Sequence, residues 1–250
     1  AFHSKFLKLE LQDQIQAIDE LEWIRMSQNC LEWFERNCSP KGSFDVTIKA
    51  IRKVLSSPDS FATLATSDSE KDLELLYVSL RRLYPKHDLF LACDDEISKW
   101  AAKKNDPNLH ANSCLSSYDI KNRHEMEKNG TWTNFMLEKC TAIDDALKMR
   151  DSTLFLDSDQ CILNRFEIDP QEKHENNIYC TVGLSPHLIR EDNEKQFGKY
   201  NGGFVYLKTL KFTKWWRENT LDSKYMEQGI LEEAPKEFTT FEFGPENNFG

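Results

Sequence analysis

The chain has 250 residues, enough for one large α/β domain with a small appendage. With 39 % hydrophobic and 12 % aromatic residues it can fill a core, which excludes general disorder. A formal net charge of −10 with no basic run excludes nonspecific binding to nucleic acid or to an anionic membrane. An anionic ligand would need a cation, or a local cluster of lysine and arginine, to offset that field. The seven cysteines are scattered singly, with no C-x-x-C pair. They read as buried thiols of a reducing, cytoplasmic compartment. No apolar run approaches the roughly 20 residues of a membrane span.

Residues 5–36 predict a helix, because Leu11, Ile15, Ile18, Leu21, Ile24, Leu31 and Phe34 recur at spacings close to a helical turn. Pro40 and Gly42 break it, and a second helix is expected over 44–55, with Phe44, Ile48, Ile51 and Leu55 on one face. "SSPDS" (56–60) is the linker. Residues 1–58 are therefore read as a helical extension, a cap or an arm for homo-oligomerisation rather than a catalytic part.

From Phe61 the texture changes. "FATLAT" (61–66) is a short apolar strand that stops at "SDSEKD", a turn carrying helix-start residues. "LELLYVSLRRLY" (73–84) is an amphipathic helix closed by Pro85. "HDLFLAC" (87–93) is a second buried strand ending at Asp94-Asp95, and "EISKWAAKK" is a helix. A longer helical stretch, "WTNFMLEKCTAIDDALKM" (132–149), leads into "STLFL", the third apolar strand. This alternation is that of a parallel, doubly wound sheet, in which ligands sit beyond the carboxyl ends of the strands. Thr66-Ser67-Asp68, Asp94-Asp95 and Asp157-Ser158-Asp159 stand at those ends and are expected to share one face. "CILNRFEI" (161–168) reads as another strand. "NIYCTVGLS" (177–185) and "GGFVYL" (202–207) alternate as antiparallel or edge strands do.

Asp157 and Asp159 carry the chemistry. In extended backbone, residues i and i+2 point the same way, so the two carboxylates would converge on one hard cation, Mg²⁺ or Mn²⁺, with water or phosphate completing its shell. The bland alternative is a solvated turn. An EF-hand is excluded, since Cys161 and Ile162 fill positions that need an oxygen ligand and a glycine. A phosphatase of the haloacid-dehalogenase type also sets D-x-D after a buried strand, its first Asp acting as nucleophile. Such enzymes usually carry Thr or Val where this chain has Cys161, and their motif comes near the domain's start.

Five segments in order, "FATLATSD", "LYVSLRRLYPKHDLFLAC", "LEKCTAIDDALKMRDSTLFLDSD", "KYNGGFVYL" and "YMEQGIL", resemble the GT-A glycosyltransferases over about residues 60–250. The resemblance implies an α/β, Rossmann-like GT-A domain at 59–250, a mixed central sheet flanked by helices, open at its C-terminal end. It implies transfer of a sugar from a UDP- or GDP-sugar to an acceptor hydroxyl with Mn²⁺ or Mg²⁺. By the same resemblance Thr66, Ser67 and Asp68 line the nucleoside pocket and Lys139 faces the donor. Asp157 contacts ribose or sugar and reaches the metal indirectly, Ser158 adjoins the donor, and Asp159 binds the metal directly. Asn201, Gly202 and Gly203 border donor sugar and acceptor, and Glu227 and Gln228 sit near the anomeric carbon.

The glycine pair would let backbone approach a sugar and present N–H donors, or would mark a simple β-bulge. An inverting reaction would need a base, for which Glu227 or Asp192 is available. The chain departs from the family pattern at Glu227, where Asp is usual. No histidine follows His187 to supply the third metal ligand found in many members. His124, His174 and His187 lack metal-ligand spacing, and core packing is the default for Trp215 and Trp216. Two other functions compete: a non-catalytic sugar-nucleotide or carbohydrate-binding protein on the same fold, and a D-x-D hydrolase.

Overall fold

The structure, a computed structural model, describes residues 20–44, 47, 57–118, 123–166, 181–186, 198–220 and 226–244. Asp192, His174, His187 and most of the expected 44–55 helix lie outside them. The chain divides into two units, Ala1–Leu55 and Ser56–Gly250. In the first, helix α1 (Glu20–Asn37) gives way at Cys38 and Ser39, and helix resumes at Pro40. Ser39 caps the new helix by accepting the Gly42 N–H at 3.0 Å, with proline at the first helical position, where its missing N–H is harmless. Ile24, Leu31 and Phe34 of α1 are exposed.

The second unit is built on one seven-stranded mixed sheet of order β3-β2-β1-β4-β6-β5-β7. Strands β1 (Ser60–Ala65), β2 (Asp88–Cys93), β3 (Leu109–Asn112) and β4 (Thr153–Leu156) run parallel, joined by helices. These are α2 (Glu70–Leu83), α3 (Asp95–Lys104), α4 (Arg123–Lys128), α5 (Trp132–Leu137) and α6 (Lys139–Met149). Strand β6 (Tyr200–Leu207) is antiparallel to β4 and to β5 (Val182–Pro186), and β7 (Thr240–Glu242) closes the edge. Helices α7 (Leu210–Thr220), α8 (Met226–Gly229) and α9 (Ala234–Glu237) lie between β6 and β7. The mixed sheet flanked by helices is the architecture the GT-A resemblance implied.

The central strands are buried on both faces, as their unbroken apolar runs require. Alternate residues divide the core. Phe61, Leu89, Leu154, Leu156, Phe204 and Tyr206 pack with Leu76, Leu80 and Tyr84 of the α2 side. Ala62, Phe90, Phe155, Val205 and Leu207 pack with Ile143 and Ala146 of α6 and with Phe212 and Trp216 of α7. Trp215 joins that cluster's edge against Phe212 and Phe238, so core packing holds for both tryptophans.

Three expectations need correction. The D-x-D strand is the fourth of the chain, because β3 stands before it. Residues 161–166 form no strand: the Ile162 N–H is taken by Ser79 Oγ at 3.0 Å and the Phe166 N–H by Tyr84 Oη at 2.5 Å. The segment is thereby laid along α2, while β6 holds the place beside β4. The thiols are not uniformly buried either, since Cys30, Cys38 and Cys161 are exposed. Burial pushes the Cys93 and Cys140 thiols up to about 12, which leaves both inert as nucleophiles near neutral pH. Among the described residues, no helix is long and apolar enough to cross a membrane.

Asp88, at the amino end of β2, is 3 % exposed; Oδ1 lies 2.8 Å from His110 Nε2 and Oδ2 accepts Arg150 Nε at 2.5 Å. Burial alone would raise its carboxyl, but the bonds from His110 and Arg150 hold it below the usual value. A depressed folded pKa stabilises above the unfolded value, near pH 4, and the contribution disappears as pH falls below it. Asp88→Asn should therefore lose about 1–3 kcal/mol at pH 7. The gap to wild type should narrow as urea midpoints are followed down to about pH 3.

Candidate active site

The parallel register brings the carboxyl ends of β1, β2 and β4 to one end of the sheet, beside the first half of antiparallel β6. After β1, Thr66 is buried while Ser67 and Asp68 are exposed on a short 3-10 turn. Asp94 organises this rim. One of its oxygens caps α3 by accepting the Ile97 N–H at 2.9 Å, and the other accepts the Ser67 N–H at 2.7 Å. A single carboxylate thus ties the turn after β1 to the helix after β2. The sequence marks Asp94 only as a strand-end acid, and the strand-Asp-helix pattern was the signal for the cap.

At β4 the chain leaves the sheet in a turn. Gln160 N–H bonds to the Asp157 carbonyl at 3.2 Å, and Ser158 and Asp159 occupy the turn. The extended i, i+2 geometry expected for the aspartates is therefore absent. Asp157 still pairs with β6 through its N–H to the Gly203 carbonyl, 2.9 Å, while Asp159 is exposed. The Asp157 side chain folds against Gly203, so that a Cβ at position 203 would overlap its carboxylate. Burial pushes the Asp157 carboxyl above the usual range; Lys139 pulls it down, and Asp159 and Glu227 add to the rise.

Of the two readings of the glycine pair, the bulge is the one that fits the geometry. Gly203 N–H is held by Asn201 Oδ1 at 2.8 Å, and Gly202 N–H faces Gln228 Oε1 at 3.4 Å. Neither N–H is left open for a sugar. The β5–β6 ladder slips between Leu184, opposite Val205, and Pro186, opposite Tyr200, so the pair does lie in a bulge relative to β5. Its specific use at 203 is to admit the Asp157 carboxylate.

Lys139, the first residue of α6, is 1 % exposed. Its ammonium donates to Glu227 Oε1 at 2.9 Å and to the Gly202 carbonyl at 3.3 Å, between the rings of Phe155 and Trp216. Burial would lower its pKa, but the charges of Glu227 and Asp157 raise it above the ordinary value. Glu227 is 5 % exposed, and its carbonyl accepts the Trp216 indole N–H at 2.5 Å. Helix α8, carrying Glu227 and Gln228, is therefore pinned from α6, α7 and β6 at once. His124 is exposed on α4, away from any metal-like grouping.

Among the described residues no group of three or more His, Cys, Asp or Glu side chains is gathered around one point. Two carboxylates nevertheless fit a hard divalent cation that keeps water or phosphate oxygens as its remaining ligands. Burial and neighbouring Asp159 disfavour the Asp157 charge, a cost that a bound cation would relieve.

The backbone path is similar to that of several solved glycosyltransferases. Apo-form GlyE of Streptococcus pneumoniae TIGR4 matches at 13 % identity and a TM-score of 0.49 over 74 % of this chain. Galactosyltransferase LgtC, in complex with donor and acceptor sugar analogs, matches at 15 % and 0.46 over 73 % of this chain and 72 % of its own. A glycosyltransferase involved in glycosylating the major capsid of PBCV-1 matches at 11 % and 0.41, over 74 % and 82 %. The chain spans 45 % of the length of the GlyE structure. These are likenesses of backbone path and of nothing finer. No protein-family model matches the sequence, and no curated protein does.

Gly203→Ala should destabilise the protein by about 1–3 kcal/mol, read as a lower urea midpoint, because the new methyl displaces the half-buried Asp157 carboxylate. Gly202→Ala, whose Cβ would stand 3.1 Å from Gln228 Cβ, should lose less.

Proposed function

We propose that this chain is a metal-dependent glycosyltransferase that moves a sugar from a nucleotide-diphosphate sugar to an acceptor hydroxyl. The observation that carries this reading is the meeting of Asp157 with Gly203 at the carboxyl end of β4, beside the buried Lys139–Glu227 pair. It puts a carboxylate, seated over a glycine of the neighbouring strand and next to a fixed polar turn, at the end of the sheet where ligands bind in α/β folds.

Asp157 and Asp159 would hold Mn²⁺ or Mg²⁺. The bound ion would stabilise the negative charge that gathers on the departing nucleoside diphosphate. The Thr66–Asp68 turn, fixed through Asp94, suits one wall of a nucleoside pocket. Glu227 and Gln228 would face the hydroxyls of a sugar held at Asp157. Glu227 Oε1 is already occupied by Lys139, so an acceptor hydroxyl would meet the other carboxylate oxygen.

A thermal-shift panel tests the reading. UDP or GDP at a hundredfold excess over Kd should stabilise by about 2.7 kcal/mol, a rise of about 5–11 °C, only when Mn²⁺ is present. Asp157→Ala and Asp159→Ala should each abolish the rise. Slow acceptor-free release of sugar from a UDP- or GDP-sugar, lost in Asp159→Ala, separates a transferase from a binding protein. No nucleotide-dependent rise in the presence of metal would overturn the reading.

A further inference from the structure

We propose that Lys139 is a positioning residue of this site, holding Glu227 and the Gly202 carbonyl in place without touching the donor's diphosphate. The inference rests on the glycosyltransferase reading and deepens it, since the resemblance turns this lysine toward the donor.

An ammonium has three N–H donors. One goes to Glu227 Oε1 at 2.9 Å and one to the Gly202 carbonyl at 3.3 Å. Beyond these two partners the ammonium feels the Asp157 charge and lies 5.4 Å from the Phe155 ring centroid and 5.7 Å from that of Trp216. With 1 % of the residue exposed, the head group lies inside a closed cage formed by β4, β6, α7 and α8. To reach a phosphate oxygen it would have to leave Glu227, itself 5 % exposed, as a buried carboxylate without its counter-charge.

The same contacts say what the lysine does. The Gly202 peptide is gripped on both sides, its carbonyl by Lys139 and its N–H by Gln228 Oε1. The Glu227 carbonyl is fixed by the Trp216 indole. Helix α8 runs on through a 3-10 turn, Ile230–Glu233, into α9, and these contacts from neighbouring elements set where its Glu227 and Gln228 point. Lys139 is the charged member of that set. Its removal should disturb the alignment of Glu227 and Gln228 on the sugar and leave the nucleotide's own contacts as they are.

The test compares the full chain with Lys139→Met, Glu227→Gln and the double variant, using UDP and GDP with Mn²⁺ in titration calorimetry and acceptor-free hydrolysis of the matching sugar nucleotides. Lys139→Met should bind the nucleoside diphosphate within about twofold of wild type, while kcat falls by at least about tenfold with little change in KM. The double variant, which removes both charges and leaves neither buried alone, should be no slower than Lys139→Met, because the two residues act as one unit. It also serves as the readout if Lys139→Met does not fold. A loss of about tenfold or more in nucleotide affinity in either lysine variant would make the lysine a phosphate ligand and overturn the inference, with the function intact. Additive losses in the double variant would overturn it equally. Wild-type protein that neither binds nor cleaves any of these probes overturns the proposed function, and the inference with it.

Discussion

Lys139 and Glu227 bring opposite charges into a space that water barely reaches, with the half-buried carboxylate of Asp157 at its edge. Mutual compensation is what makes such a grouping tolerable, since an isolated buried charge is far more costly than any single hydrogen bond it makes. The lysine answers Glu227 directly and Asp157 through the field. At the point where β4 ends, burial still holds the Asp157 carboxyl above the usual range. The strand order, the helix α6 that delivers Lys139 and the α7 indole that fixes Glu227 all serve to assemble this group.

The surrounding architecture follows from how the chain enters and leaves the sheet. Parallel strands send their carboxyl ends to one side, and antiparallel β6 returns its own start to that side. The segments that follow β1, β2 and β4 thus reach the same end of the sheet as the start of β6. The rim is stiffened by side chains that perform two tasks at once. Asp94 caps a helix and holds a neighbouring turn; Gln228 carries polar chemistry and grips the Gly202 peptide. Such shared use leaves few polar groups of the rim idle.

Much of this fold is legible in the residues. The apolar runs "FATLAT", "DLFLAC" and "TLFL" are strands because they lie between helices, and the turn residues after them mark the ligand end. Strand β3 escapes because "LHAN" is four residues long, polar at alternate positions and lies on the sheet's edge, where only one neighbour has to be satisfied. Residues 161–166 mislead in the opposite sense. Their apolar content is real, but it serves to cover α2, and side chains of that helix and its C-cap, Ser79 and Tyr84, take the N–H groups a sheet partner would need. The aspartate pair is visible as a motif, yet its turn is not, because a two-residue periodicity argument assumes extended backbone beyond the strand's last residue. For Lys139 the sequence offers a helix position and no more. Its burial depends on Phe155, Gly202, Trp216 and Glu227, which are brought together only by the tertiary fold.

The fit of the Asp157 carboxylate over Gly203 has a consequence for descent as well as for folding. Two positions that occupy one volume cannot drift independently. No acidic side chain is shorter than aspartate, so the acid cannot retreat to admit a methyl group opposite it. A lineage that exchanged this glycine would have to give up the carboxylate, or bend the strand, before natural selection could accept the change. Mutational paths away from this pairing are therefore nearly closed for as long as the acid is needed.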